Sequence, residues 1–202
     1  MRFRVFAALA LSRENQAQVA EVLAGLQRAA PPGAVRWGRP EAMHLTVKFY
    51  GDVAAVDLAA LENGLARAAA VSRPMHLTLE GLGVFPTPRR PQVIWAGVGG
   101  DVAPLRHLAE EVERTSAALG YAPEGRPYKP HLTLGRVGGG LKPAEQRQLM
   151  DGLAARQGEV FGAFHAGDLS LVRSDLRPTG SVYTTLFSAA LGATRTQPAE
   201  LH

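Results

Sequence analysis

One sequence pattern occurs twice in this chain and carries its most reactive side chains. Both copies read Arg-Pro-x-x-x-His-Leu-Thr-[Val/Leu]-x-x-x-Gly, at residues 39–51 and 126–138. Each copy supplies one histidine, His44 or His131, followed two positions later by a threonine. Side chains at positions i and i+2 of a β-strand point to the same face, so each copy would present an imidazole and a hydroxyl together. The repetition indicates two related lobes that meet around one cleft.

Two imidazoles and two hydroxyls directed at one point suit displacement chemistry at phosphorus. An imidazole titrates at about pH 6.5, so one ring can be neutral while the other is protonated. In-line displacement needs a base for the incoming oxygen and an acid for the leaving oxygen, and each contributes roughly 10²–10⁴-fold. The hydroxyls of Thr46 and Thr133 would donate hydrogen bonds to the equatorial oxygens, and an arginine would add charge. The pattern therefore predicts His44 and His131 as an acid–base pair.

Two other interpretations of the histidines compete with an acid–base pair. A single His-x-Thr is common on exposed sheet surfaces, and only the matched frames favour a catalytic role. Metal binding would require histidines at ligand spacing with nearby carboxylates, and none of the six histidines has that arrangement in the sequence. We therefore expect no metal and no other cofactor. A third His-Leu-Thr, at His76, has the wrong spacing to its Arg-Pro and to its glycine, which predicts an ordinary surface residue.

Composition limits the class of protein further. The chain has 202 residues, of which 46% are hydrophobic and 20% are charged, as in a globular protein of one domain or two small lobes. It has no cysteine, which excludes disulfides, thiol nucleophiles and iron–sulfur clusters. No apolar run approaches the ~20 residues that span a bilayer. The short apolar stretch near the N-terminus resembles a signal peptide but is better explained as a first strand, so we expect a cytoplasmic protein without membrane partners.

The elements that must position the motifs alternate between strand and helix patterns. Strands are expected near residues 3–11, 43–50, 75–80, 93–98, 131–137, 160–165, 168–173 and 182–191, and helices near 12–30, 57–70, 104–119 and from 143. Several strands follow one another directly, which favours an α+β fold with largely antiparallel sheets over a doubly wound parallel sheet. Neither a Walker loop nor a dinucleotide fingerprint is present. We expect one bilobal domain over residues 1–190 and a frayed tail over 191–202.

The paired motifs resemble those of the two-histidine (2H) phosphoesterase superfamily. More narrowly, the chain is similar to the bacterial and archaeal RNA 2′,3′-cyclic phosphodiesterases, also called 2′-5′ RNA ligases. The resemblance extends over roughly residues 1–190 and rests mainly on the two histidine motifs. Weaker matches are Phe6-Ala-Ala-Leu, Gly81-Leu-Gly-Val-Phe-Pro and Pro91-Gln-Val-Ile-Trp.

The resemblance implies a bilobal fold with a pseudo-two-fold axis and a V-shaped cleft between the lobes. It implies hydrolysis of a terminal 2′,3′-cyclic phosphate to a 2′-phosphate without ATP or metal. By the same resemblance, His44 protonates the departing 3′-oxygen and His131 deprotonates water. Thr46, Thr133 and Arg136 would hold the phosphate. The sequence by itself leaves the acid and base roles open, because the two frames are nearly equivalent.

Arg136 presents a difficulty, since it follows His131 by five residues and has the opposite strand parity. Gly135 would permit a bulge or twist that returns Arg136 to the histidine face. Phe49 occupies the equivalent position in the first motif and would either pack in the core, which we favour, or stack on a base. The other candidate RNA contacts are Lys48, Arg126 and Lys129.

The expected partners are RNA with 2′,3′-cyclic phosphate ends or cyclic nucleotides, bound by a monomer. A net charge of +4 and a pI of about 9.8 are compatible with an anionic partner. Two alternatives to hydrolysis remain. The same site can run a reverse-type reaction that joins the cyclic end to a 5′-hydroxyl as a 2′-5′ linkage. The chain could also be a non-catalytic RNA-binding module, although binding alone does not need a matched acid and base.

Overall fold

The structure is a computed structural model that describes residues 1–177 and 180–193. Over these residues the strands and helices follow the predicted order closely. Their bounds are β1 (Arg2–Ala10), α1 (Arg13–Ala29), β2 (Val35–Trp37), β3 (His44–Ala54), α2 (Leu58–Ala70), β4 (Met75–Thr87), β5 (Arg90–Gly100), α3 (Val102–Ala117), β6 (His131–Val137), α4 (Pro143–Ala154), β7 (Val160–Ala166), β8 (Asp168–Arg177) and β9 (Gly180–Ala190).

The strands form one sheet whose order is symmetric about its centre. Eight strands run β7-β4-β5-β6-β3-β1-β8-β9, and β2 pairs with β6 off this path. The two central strands, β3 and β6, carry the two motifs and are joined through the antiparallel partners Leu45 and Leu132. Three further strands lie on each side, all paired antiparallel. The predicted antiparallel α+β fold with two related halves is confirmed.

The helices cover the face of the sheet opposite to the motif side chains. Ser12 caps α1, because its side chain accepts a hydrogen bond of 3.2 Å from the amide of Asn15. Helix α1 packs against β7 and α4, while α2 packs against α3, β8 and β9. Leu45 and Leu132 are buried in the resulting core. Each motif strand is therefore anchored from behind while its histidine faces away.

Two local features differ from the sequence-based expectations. Strand β2 is too short to show a periodicity, and it forms by pairing with β6. At the other end of the chain, Leu191 is buried and its amide donates a hydrogen bond of 2.8 Å to the carbonyl of Gly167. The rest of the expected tail, residues 194–202, lies outside the described residues.

Among the residues that the structure describes, no helix is long and apolar enough to cross a membrane.

Candidate active site

Both motif histidines begin a central strand and are held by the same backbone contact. The Nδ1 atom of His44 lies 3.0 Å from the carbonyl oxygen of Ala42, and Nδ1 of His131 lies 2.8 Å from that of Lys129. A carbonyl oxygen only accepts hydrogen bonds, so each Nδ1 carries the proton and donates it. Each Nε2 is then the nitrogen left to exchange a proton with a substrate.

The register of the central strands brings the two motifs together. Because β3 and β6 run antiparallel through Leu45 and Leu132, His44 lies across from Thr133 and His131 lies across from Thr46. Each imidazole therefore has a hydroxyl from its own motif and one from the other motif nearby. The four predicted side chains meet at the junction of the two halves.

A β-bulge follows the threonine in both motifs. The ladder shifts register at this point in each strand, which inserts one extra residue, Val47 in β3 and Leu134 in β6. A bulge reverses the alternation of the side chains that follow it. Phe49 and Arg136, both exposed, are thereby returned to the histidine face. The bulge predicted for Arg136 is confirmed, and the structure shows that the first motif has the same one.

Gly135 is the residue that lets β2 pack across the second bulge. A Cβ atom at this position would lie 2.8 Å from the side chain of Val35 and 3.1 Å from that of Trp37. The first distance is shorter than a carbon–carbon contact allows and the second is tight, so a larger residue would require β2 to shift. The equivalent position of the first motif is Lys48, where none of the described strands lies across β3 as β2 lies across β6, and a long side chain fits.

Lys48 is a correction to the sequence analysis. The simple alternation placed it on the histidine face as an RNA contact, but the bulge turns it toward α3. Its side chain is 2% exposed, and its ammonium lies 2.7 Å from the Glu113 carboxylate and donates a 3.1 Å hydrogen bond to the carbonyl of Ala122. The Lys48 ammonium therefore stabilises the loop before β6 and the bulge instead of facing RNA.

Phe49 is the second correction, because it does not pack in the core. It is 41% exposed and belongs to a row of rings that extends from His44. The His44 and Phe6 rings stack with centroids 4.4 Å apart, and the Phe6 and Phe49 centroids are 6.4 Å apart. The guanidinium of Arg4 lies 4.6 Å above Phe49, and the Tyr183 ring meets His44 edge-on at 4.9 Å. The first motif thus has an aromatic wall.

The second motif is bordered by aromatic rings and a cation. The Phe85 ring meets His131 edge-on at 5.0 Å, and the Trp95 centroid is 6.4 Å from the same imidazole. The Lys129 ammonium lies over these two rings, 4.6 Å from the centroid of Trp95 and 5.2 Å from that of Phe85. This arrangement holds the Lys129 charge beside His131.

Burial disfavours the protonated form of both imidazoles. Desolvation lowers the pKa of His44, and the hydrogen bond to Ala42 opposes this effect. Desolvation also lowers the pKa of His131; the bond to the Lys129 carbonyl opposes it, and the Lys129 charge adds to it. The lowered pKa values leave both rings able to accept a proton near neutral pH, and a bound phosphate would raise both pKa values again.

Tyr128 is a site residue that the sequence analysis missed. It occupies a variable position of the second motif, and its hydroxyl donates a hydrogen bond of 3.0 Å to the backbone carbonyl of Thr46 in the first. Burial raises the pKa of the hydroxyl, so it remains a donor. Tyr128 therefore ties the loop before β6 to the strand that carries His44. In the sequence, the one indication of this role was the presence of an aromatic residue inside the repeated motif.

A groove of about 780 Å³ extends from the junction between α3, β3 and the loop before β6. Thr46 and His131 line it, so the groove continues directly from the proposed catalytic groups. The exposed candidate contacts Arg126 and Lys129 also line it, together with Arg106 of α3, which the sequence analysis did not identify.

Within residues 1–177 and 180–193, no three His, Asp or Glu side chains lie close enough to hold a metal ion.

Two backbone-tethered imidazoles, each beside two hydroxyls at a pseudo-symmetric strand junction, define a phosphoesterase of the two-histidine class. The chain matches the family model described as LigT like Phosphoesterase over residues 9–95 and 100–183, and it belongs to that family.

Comparison with individual proteins agrees with this assignment. The chain is 32% identical to the RNA 2′,3′-cyclic phosphodiesterase of Methanothermobacter thermautotrophicus, over 92% of this chain and 97% of that protein. It is 31% identical to the enzyme of the same name from Archaeoglobus fulgidus, over 91% and 97% of the two chains. The structure is also similar to that of Escherichia coli LigT complexed with 3′-AMP, with a TM-score of 0.74, 25% identity and coverage of 96% and 100% of the two chains.

Proposed function

We propose that this chain hydrolyses 2′,3′-cyclic phosphate ends of RNA to 2′-phosphates. The observation that carries the proposal is the pair of imidazoles, each with Nδ1 held by a backbone carbonyl and Nε2 left for proton transfer. Relatives named RNA 2′,3′-cyclic phosphodiesterase that match almost over their full length support the substrate class. Both motifs come from one chain, so we expect residues 1–190 to act as a single bilobal domain in a cytoplasmic monomer.

The proposed reaction is a single displacement at phosphorus. Nε2 of His131 takes a proton from water as the water oxygen bonds to phosphorus. The bond between phosphorus and the 3′-oxygen breaks, and Nε2–H of His44 gives its proton to that oxygen. The products are a free 3′-hydroxyl and a 2′-monophosphate, with His44 left neutral and His131 protonated. Proton exchange with solvent restores the starting state.

Three side chains would stabilise the charge that develops on the equatorial oxygens. The hydroxyls of Thr46 and Thr133 donate hydrogen bonds from the two central strands. Arg136, returned to this face by the bulge, adds a charge-assisted donor. All three are fixed by strand backbone before substrate binds, so little reorganisation is needed in the transition state.

The surroundings of the two rings support His131 as the base and His44 as the acid. The Lys129 ammonium beside His131 opposes protonation of that ring, which favours a neutral proton acceptor. His44 has Ala42 at the equivalent position, without charge, and its ring is stacked on Phe6. The electron-rich face of Phe6 opposes the desolvation that lowers the pKa of His44 and so favours the cationic form that an acid requires.

The groove along α3 supports binding of an RNA chain in addition to a mononucleotide. It begins at Thr46 and His131. Its lining carries the cations Arg106, Arg126 and Lys129 and also the carboxylates Glu110, Glu124 and Glu113, of which Glu113 is paired with Lys48. Nucleotides that precede the cyclic end would lie there and would make binding weaker as salt rises.

A defined oligoribonucleotide with a 2′,3′-cyclic end tests the proposed function. We expect a 2′-monophosphate, identified by phosphorus NMR, and activity that survives chelation with EDTA and needs no nucleotide. A predominantly 3′-phosphate product would contradict the assigned leaving oxygen. Loss of activity with EDTA and recovery with a divalent ion would contradict the two-histidine mechanism.

The same experiment decides between hydrolysis and ligation. With an RNA that carries a 5′-hydroxyl added, water at ~55 M should keep hydrolysis dominant, because the same acid and base serve both nucleophiles. Mainly 2′-5′-linked product would make ligation the principal reaction. Binding of RNA without any product would leave only the binding-module alternative.

A further inference from the structure

The histidine of the third His-Leu-Thr lies directly opposite another histidine. Strands β4 and β7 pair so that His76 and His165 are ladder partners. Their ring centroids are 4.9 Å apart with an angle of 56° between the ring planes. Both side chains are exposed, and β5 separates their strands from the motif strand β6. The pair is therefore a histidine cluster outside the proposed catalytic site.

The ring nitrogens of this pair are available, unlike those of the catalytic pair. Within the two described ranges of the chain, neither the His76 ring nor the His165 ring makes a hydrogen bond, whereas each catalytic ring is bonded to a carbonyl. The nearby Asp101 carboxylate does not occupy these ring nitrogens either, because it accepts hydrogen bonds from the His76 backbone amide, at 3.0 Å, and from the Arg73 guanidinium.

The spacing of the two rings fits a shared metal ion. Two imidazoles bound to one tetrahedral ion have ring centroids about 5 Å apart, because each ligating nitrogen lies about 2.0–2.1 Å from the ion. The separation of 4.9 Å is close to that distance. Strand pairing fixes both Cβ positions in advance, so little entropy is lost when an ion binds.

We propose that His76 and His165 form a two-imidazole site for a divalent transition-metal ion such as Zn²⁺, with water completing the coordination. Imidazole ligands select Zn²⁺, Ni²⁺ and Cu²⁺ over Mg²⁺ and Ca²⁺, which prefer oxygen ligands. The proposal is independent of the proposed function, since no step of the hydrolysis uses this pair.

Zn²⁺ titration of the untagged full chain, followed by NMR of the histidine ring nitrogens, tests the site residue by residue. We expect the His76 and His165 signals to shift together at Zn²⁺ concentrations that leave the exposed His107 of α3 unchanged. Mg²⁺ at the same concentrations should shift neither signal. Because each ring is observed separately, any binding at His44 or His131 is distinguished from binding at this pair.

Variants supply the matched control. His76→Ala and His165→Ala should each weaken Zn²⁺ binding at the remaining partner by about tenfold or more, while His107→Ala leaves it unchanged. Both substituted side chains are exposed, so the variants should fold, and His76→Gln provides a second polar replacement. Equal responses of His107 and the pair, responses confined to the catalytic rings, or unchanged binding in His165→Ala would overturn the proposal.

Discussion

The two motifs share a backbone and differ in the side chains around it. In both, the histidine Nδ1 donates to the carbonyl two residues earlier, and a bulge follows the threonine. At the position after the bulge, the first motif has Phe49 and the second has Arg136. At the carbonyl position, the first has Ala42 and the second has Lys129.

These differences give the two sides of the junction different chemistry. The side of His44 is an aromatic row that continues through Phe6 and Phe49. The side of His131 also has two rings, Phe85 and Trp95, and it adds two cations that are close in sequence, Lys129 and Arg136. A symmetric backbone therefore delivers two equivalent imidazoles. We propose that the cations beside His131 hold a phosphate, while the exposed Phe49 ring on the His44 side stacks on a base.

The shared feature is tested by removing each imidazole. His44→Ala and His131→Ala should each lower kcat on a 2′,3′-cyclic mononucleotide by at least ~10², because each transfers one proton in the same step. The double variant should lose little more, since the two groups act as a unit. Full activity in either single variant would remove that histidine from the mechanism.

The residues after the bulge test the difference between the two sides. Arg136→Ala should lower kcat/KM on a cyclic mononucleotide by roughly 10–10²-fold, as expected for loss of a charge-assisted hydrogen bond. Phe49→Ala should cost only a few-fold and act mainly on KM. Arg136→Lys should recover part of the loss. Equal effects of Arg136→Ala and Phe49→Ala would mean that the two sides do not divide phosphate and ring as proposed.

The pH dependence should report the buried state of both rings. Burial lowers the pKa of His44 and His131, so each ring loses its proton at lower pH than a free imidazole. Both transitions therefore lie below pH ~6.5: as pH rises, the loss of a proton makes His131 a neutral base, and the loss of a proton from His44 removes the acid. The bell-shaped profile of kcat/KM, which reports the free enzyme, should therefore be centred on the acid side of pH ~6.5.

Lys129 sharpens this pH prediction because it acts on only one ring. Lys129→Ala removes a charge that lowers the pKa of His131, so that pKa should rise and the acidic limb of the profile should move to higher pH. The alkaline limb, assigned to His44, should stay in place. Movement of the alkaline limb alone would exchange the acid and base assignments.

Removing the hydrogen bond that links the two motifs should have a smaller effect on activity. Tyr128→Phe removes the hydrogen bond to the Thr46 carbonyl and should lower activity a few-fold and the free energy of unfolding by about 1–2 kcal/mol, measured in urea. Tyr121→Phe is the matched control, because the Tyr121 hydroxyl has no hydrogen-bond partner within the described residues. An equal loss in both variants would assign the effect to general packing.

The smallest effect on activity is expected at His76, the histidine of the third His-Leu-Thr, which lies outside the two matched motifs. His76→Ala should keep cyclic phosphodiesterase activity within a few-fold of the parent, because β4 is separated from the motif strand by β5. Activity on a cyclic mononucleotide measures this directly. A loss comparable to that of His44→Ala would show that the catalytic pair is chosen wrongly.

Much of the fold could be predicted because its signals are local. The alternation of β3 before its bulge, the helical spacing of buried apolar residues from Val19 to Leu26 in α1 and the Ser12 cap depend on neighbours in sequence. The bulge before Arg136 was predicted because Arg136 would point away from His131 on a regular strand and because Gly135 permits a bulge. The same bulge at Val47 had no glycine to indicate it, so the placements of Lys48 and Phe49 were wrong. The register of a strand depends on its partner, which a pattern along one strand does not contain.

The sequence by itself determined the two matched motifs, the order of strands and helices, and the acid–base chemistry that the repeated residue types support. Only the tertiary structure decided the pairing of β3 with β6, the burial of Lys48 against Glu113 and the contact of Tyr128 with the first motif. It also placed His165 beside His76. The physical reason is that side-chain type and spacing act locally, whereas hydrogen-bonded register and burial are set by segments far apart in the chain.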